Sequence, residues 1–194
     1  MNTFIRDAVY AFAGLKRLFL FQDGWRGCFD VSYEGVARSF RAVIPTLPLY
    51  ALIQIGIVYM IQDAGQAHPG FPPAYLAADF ARIWLLFPVS AALAATLFSR
   101  KGPYGLWLVV HNWTVFALIA FQAALVIIYL AGLMPPEALW FFLAIPMRFI
   151  LLIVHWRVAT ATLGLSWGAG AGAAALHIVI DLIAATAIAY ALAG

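Results

Sequence analysis

Charge is what this sequence has least of. Only 10% of its 194 residues are Asp, Glu, Lys or Arg, against about 25% in an ordinary soluble domain. So little charge covers few soluble surfaces. The eight acidic and eleven basic residues leave a formal net charge of +3, too small and too dispersed to indicate a nucleic-acid partner. Cysteine is also nearly absent. The single Cys28 excludes an intrachain disulfide, and no cysteine–histidine spacing for a zinc site exists. A secretory signal is excluded too: Lys16 and Arg17 interrupt the first apolar stretch, and no small-residue cleavage site follows.

What is present is apolar. Hydrophobic residues make up 65% of the chain and its mean hydropathy is +0.96. Five stretches come near the ~20 residues needed to cross a ~30 Å hydrocarbon core. They run roughly over 42–61, 80–98, 106–130, 138–156 and 171–192. Proline and glycine punctuate the connections, most densely from Asp63 to Asp79 and at Met134-Pro135-Pro136-Glu137. The expected fold is all-α: a polytopic membrane helix bundle of about five transmembrane helices, preceded by an amphipathic interfacial helix. Residues 1–38 form a cytoplasmic amphipathic segment in this reading, and 39–194 the bundle.

The N-terminal helix is expected from its wheel. Phe4, Ile5, Ala8, Phe12, Leu15 and Phe19 gather on one side, while Arg6, Asp7 and Arg17 lie opposite and Lys16 flanks the boundary. That pattern suits a helix lying on lipid headgroups, with Arg6, Lys16 and Arg17 contacting them. Ser32 is placed to cap the next helix, with Glu34 in its first turn.

Orientation follows from Lys and Arg. Met1–Arg41 carries Arg6, Lys16, Arg17, Arg26, Arg38 and Arg41; the second-to-third connection adds Arg100 and Lys101; the fourth-to-fifth begins at Arg157. The opposite connections hold no Lys or Arg except Arg82, at the start of the second span. The positive-inside rule puts the N-terminus in the cytoplasm, and five spans put the C-terminus outside. Abundant alanine with few lysines suggests a bacterial inner membrane, with a periplasmic C-terminus. Gly168 and Gly172 stand at small-xxx-small spacing in the alanine-rich fifth span, which predicts close packing at the bundle's centre.

Polar residues at membrane depth are the candidate functional groups. Arg148 lies nine residues before Arg157, about 13 Å along a helix. Asp181 lies at a similar height on the next, antiparallel span, so an Arg148–Asp181 ion pair is expected. His177 shares a face with Asp181, and His155 with Arg148. With His111, Gln122 and Gln54 these residues compose one expected polar core, able to pass or sense protons or serving only as architecture. His111, His177 and Asp181 could together ligate a metal, but no spacing matches a specific metal motif; no metal and no cofactor is expected.

Two motifs are set aside. Gly164-Leu165-Ser166-Trp167-Gly168 has the spacing of a nucleophile elbow, but in a helical connection rather than a strand–turn–helix. Asn112-Trp113-Thr114 matches a glycosylation acceptor but falls inside a span.

Five spans behind a cytoplasmic N-terminal segment, with the Gly/Tyr turn Lys101-Gly102-Pro103-Tyr104-Gly105 before the third, resemble the Yip1 family. The resemblance is one of topology over the whole chain. It implies a partner-binding role, since eukaryotic members act in vesicle traffic, and it transfers no site residue. The leading expectation is therefore a non-enzymatic membrane scaffold or regulator binding protein partners or lipids. The alternative is a small proton-coupled transporter or conducting subunit built on the polar core. A membrane enzyme using His177 and Asp181 is a third, weaker reading.

Overall fold

The computed structural model describes residues 3–192, all of whose regular structure is helical. The helices are α1 (Thr3–Phe19), α2 (Tyr33–Ser39), α3 (Val43–Asp63), α4 (Pro73–Leu97), α5 (Tyr104–Leu130), α6 (Pro136–Ala144), α7 (Pro146–Leu163) and α8 (Trp167–Leu192). A 3₁₀ turn over Phe40–Ala42 carries α2 into α3, and α6 passes into α7 at Ile145-Pro146. The chain thus makes six rods, five of them long and apolar enough to cross a membrane.

Local chemistry explains the boundaries. Ser32 caps α2: its Oγ accepts from the Gly35 amide at 3.0 Å, as its position before Glu34 predicts. Ser32→Ala should cost about 1 kcal/mol, seen as a small drop in thermal midpoint in detergent. Pro146 has no amide proton to continue α6, so the fourth expected span is broken at Ile145 into two consecutive helices. Gly164 ends α7 in the left-handed region, at φ 62°, a conformation that costs glycine nothing. Ser166 then opens α8, its Oγ accepting from the Ala169 amide at 3.4 Å. The Gly164–Gly168 motif is accordingly a helix stop followed by a helix start.

The centre of the bundle is α5, not the alanine-rich α8. An unbroken buried run from Trp107 to Val115 meets α1, α2, α3, α4 and α7. Helix α8 packs mainly along α4 and α7 and leaves most of its surface outside. Small residues allow close approach, but a helix without bulk fills little space between several neighbours. The close contact is at Gly170, whose missing side chain admits Thr160 of α7. Gly168, one of the two expected contact glycines, has open space around it, while Gly172 faces Phe98.

Helix α1 folds back against the bundle. Ala11, Leu15 and Leu18 are buried, and the Phe4 ring lies tilted against Trp113, centroids 5.6 Å apart. The single apolar face expected from the wheel divides in two: Ile5 and Phe12 remain 52% and 42% exposed. Two arginines fasten this segment to the end of α7. Arg157 donates to the Leu18 carbonyl at 3.1 and 3.0 Å, and Arg26 to the Ala161 carbonyl at 2.6 Å.

Candidate functional site

The second helix of the bundle supplies the polar groups around which the others assemble. In α4, Asp79 and Arg82 are three residues apart and so share a face. Arg82 donates through Nε and Nη2 to Asp79 Oδ1 at 3.0 and 2.8 Å. Through Nη1 it donates to Asp181 Oδ1 of α8. Asp79 uses its other oxygen to accept from the Tyr50 hydroxyl of α3 at 2.9 Å. One guanidinium thus bridges two carboxylates, and three helices meet on it. Arg82 and Asp79 are nearly enclosed, with side chains 13% and 12% exposed; Asp181 is 35% exposed.

The expected Arg148–Asp181 pair does not form. Asp181 turns to Arg82 on α4, and Arg148 is exposed, with no ion pair among the described residues. Residue counting matches the two in height, but the Arg148 side chain turns outward, beside exposed Phe149, Leu152 and Ile153.

The three expected histidines do come together. His111 of α5, His155 of α7 and His177 of α8 have ring centroids 5.4, 5.7 and 4.9 Å apart, taken as 111–155, 111–177 and 155–177. Phe87 of α4 stacks flat on His111 at 3.2 Å and meets His177 edge-on at 4.9 Å. His177 Nδ1 lies 2.8 Å from Ser90 Oγ, which also reaches the Phe87 carbonyl at 3.1 Å. A hydroxyl has one proton to give. If Ser90 gives it to Phe87, His177 carries its proton on Nδ1 and keeps Nε2 as a free acceptor.

Gln54 and Gln122 stay outside this cluster. Each is half-buried, on α3 and α5 respectively, with no side-chain hydrogen bond among the described residues. Among the described residues no group of three or more His, Cys, Asp or Glu side chains is disposed to hold a metal ion. The sequence reading missed Arg82, Asp79, Tyr50 and Ser90. The available signal was Asp79-x-x-Arg82 itself: two opposite charges one turn apart at the head of an apolar run.

A second polar region lies where α1, α2 and the intervening loop cap the bundle. Arg38 donates to Asp7 at 3.0 Å and Asp30 at 2.5 Å, and stands 3.8 Å from Glu34. Hydrogen bonding to Ser32, and then Arg38, holds the Asp30 carboxyl below its ordinary range. Asp7, Asp30 and Arg38, with Tyr10, Cys28 and Trp113, line a cavity of about 270 Å³. A second cavity of about 270 Å³ lies at the opposite end, between Met60 and Trp140. Neither is lined by the histidines, Arg82 or Asp181. Asn112 of the discarded glycosylation match is fully buried, donating to Ser39 Oγ at 2.9 Å. The expected headgroup contacts Arg6, Lys16 and Arg17 are all exposed.

No family model, no curated protein and no solved structure matches this chain.

Proposed function

We propose that this chain is a multi-pass protein of the bacterial inner membrane, a non-enzymatic scaffold or regulator that binds protein partners or lipids at the cytoplasmic leaflet. The observation that carries the reading is the three-sided surface of α1. One side packs on α5, one exposes Ile5, Val9 and Phe12, and a third carries Arg6 and Arg17. A helix held against a bundle that still offers apolar residues beside basic ones suits the boundary between acyl chains and anionic headgroups. Arg157 of α7 and Arg26 of the N-terminal segment tie that segment to α7 at one end of the bundle, in keeping with a cytoplasmic basic end. The Yip1-like topology agrees with a partner-binding role. A reporter active only in the cytoplasm should work when fused at the N-terminus and fail at the C-terminus; equal activity at both would sink the five-span orientation.

A specific observation favours a second reading, proton coupling. His155 lies within electrostatic reach of Asp181, the carboxylate that accepts from Arg82, and His111 and His177 lie against His155. Arg82 of α4 is likewise within electrostatic reach of His177, and it in turn holds Asp79, which accepts from Tyr50 of α3. Histidine changes charge near neutral pH in water, so a proton arriving on this cluster would compete with Arg82 for Asp181. One experiment separates the two readings. In sealed vesicles with a trapped pH-sensitive dye, a scaffold leaves an imposed proton gradient decaying at the protein-free rate. Faster decay that Asp181→Asn and His177→Ala abolish would replace the scaffold reading by the transport one.

A further inference from the structure

The charges inside the helices do not balance locally. Asp79, Arg82 and Asp181 form one connected group with a surplus negative charge. Arg148 supplies a surplus positive charge, but on the outer face of α7 and with no ion pair among the described residues. If the helices span a membrane, as proposed above, Arg148 stands about 13 Å from Arg157 at the interface. That is farther than an arginine side chain reaches by extending toward headgroups, and an unpaired cation facing acyl chains there is strongly disfavoured.

The heights of the two surplus charges agree. Thr160 and Gly170 touch where α7 and α8 cross. Arg148 lies twelve residues above that contact on α7 and Asp181 eleven above it on α8, about 18 and 16 Å. Asp181 has used only Oδ1; its Oδ2 has no partner among the described residues, and the side chain is 35% exposed. Around these charges the outer faces of both helices are apolar and open: Phe149, Leu152 and Ile153 on α7, Leu182 and Ile183 on α8.

We infer that the outer face of α7 and α8 is a dimer interface with a second copy of this chain, in which Arg148 of each protomer pairs with Asp181 of the other. A two-fold axis along the membrane normal preserves height, so one rotation forms both pairs at once, and the contact is self-complementary. Each triad then sheds its surplus charge and each Arg148 gains a carboxylate. Asp181 bridges Arg82 within its own chain and Arg148 across the interface.

The test uses the full chain in native membranes, with Cys28→Ala as background. Copies carrying one tag and Leu152→Cys are co-expressed with copies carrying another tag and Leu182→Cys, then treated with a short bifunctional maleimide. A cross-linked species containing both tags is expected, reduced at least about tenfold by Arg148→Leu, as loss of a charge pair requires, and retained with Arg148→Lys. Arg148 is exposed within the protomer, so Arg148→Leu should leave the monomer folded; its unchanged thermal midpoint in detergent is the control. Absence of the two-tag species overturns the dimer, as does a species that Arg148→Leu leaves undiminished. Cross-linking of Leu152→Cys to a different protein, with none between tagged copies, overturns it also. Alkaline carbonate extraction of the same membranes distinguishes the underlying reading. Protein released into the wash overturns the spanning arrangement and the dimer together, whereas retained protein without the cross-link overturns the dimer alone.

Discussion

Arg82→Gln will lower the stability of the folded chain by about 3–5 kcal/mol, the usual cost of removing one member of a buried ion pair. Arg82 neutralises two carboxylates at once. Without it, Asp79 and Asp181 are left near each other and uncompensated in a low-dielectric setting. Asp181→Asn should cost less, because Arg82 keeps Asp79 and because Asp181 is already partly exposed. Changing Asp79, Arg82 and Asp181 together to Asn, Gln and Asn should recover much of the loss, since an absent network is less harmful than a broken one. Thermal unfolding in detergent measures all three. A single Arg82→Gln protein as stable as the parent would show that the triad does not hold α4 to α8. Arg148→Gln in dilute detergent, where copies are separated, should be nearly silent; on the Arg148–Asp181 pairing expected from sequence it would have been as damaging as the loss of Asp181.

Gly170→Ala will destabilise by about 1–3 kcal/mol, the cost of overpacking a closed contact. A methyl group there would overlap the Thr160 hydroxyl and lie 2.9 Å from Thr160 Cβ and 3.1 Å from its Cα. A hydroxyl can rotate away, but the Cα can move only with α7 itself. Alanine's better helix propensity, worth up to about 1 kcal/mol over glycine, does not offset this. Thr160→Ala in the same chain should return part of the loss, because the hydroxyl goes while Cβ stays. Gly168→Ala, with open space around it, is the control and should be neutral or slightly stabilising. If Gly170→Ala and Gly168→Ala behave alike, α7 and α8 do not cross at Gly170.

The histidine cluster shows how far residue spacing carries. Helical spacing puts His177 on a face with Asp181 and His155 on a face with Arg148, and the rings of His111, His155 and His177 do converge. Counting residues matches Arg148 and Asp181 in height, yet Asp181 pairs with Arg82 and Arg148 has no ion pair among the described residues. Height fixes one coordinate; rotation about the helix axis fixes whether a side chain points at its neighbour or away. Neighbours three and four residues along read that rotation only when one face is clearly polar, and α7 has almost no amphipathic contrast to read.

The sequence by itself determined that five apolar helices exist, that proline- and glycine-rich connections separate them, that Ser32 caps α2, and that His111, His155 and His177 belong to one polar core. Those properties rest on local composition and on residues within a turn or two of one another, so a single chain contains them. Only the tertiary structure decided that α5 and not α8 is central, that the apolar side of α1 divides between the bundle and the exterior, and that Asp181 pairs with Arg82, 99 residues away. These depend on which helix faces lie side by side. In a chain this apolar nearly every face is able to pack, so hydrophobicity no longer distinguishes inside from outside, and volume matching and the few buried charges make the choice.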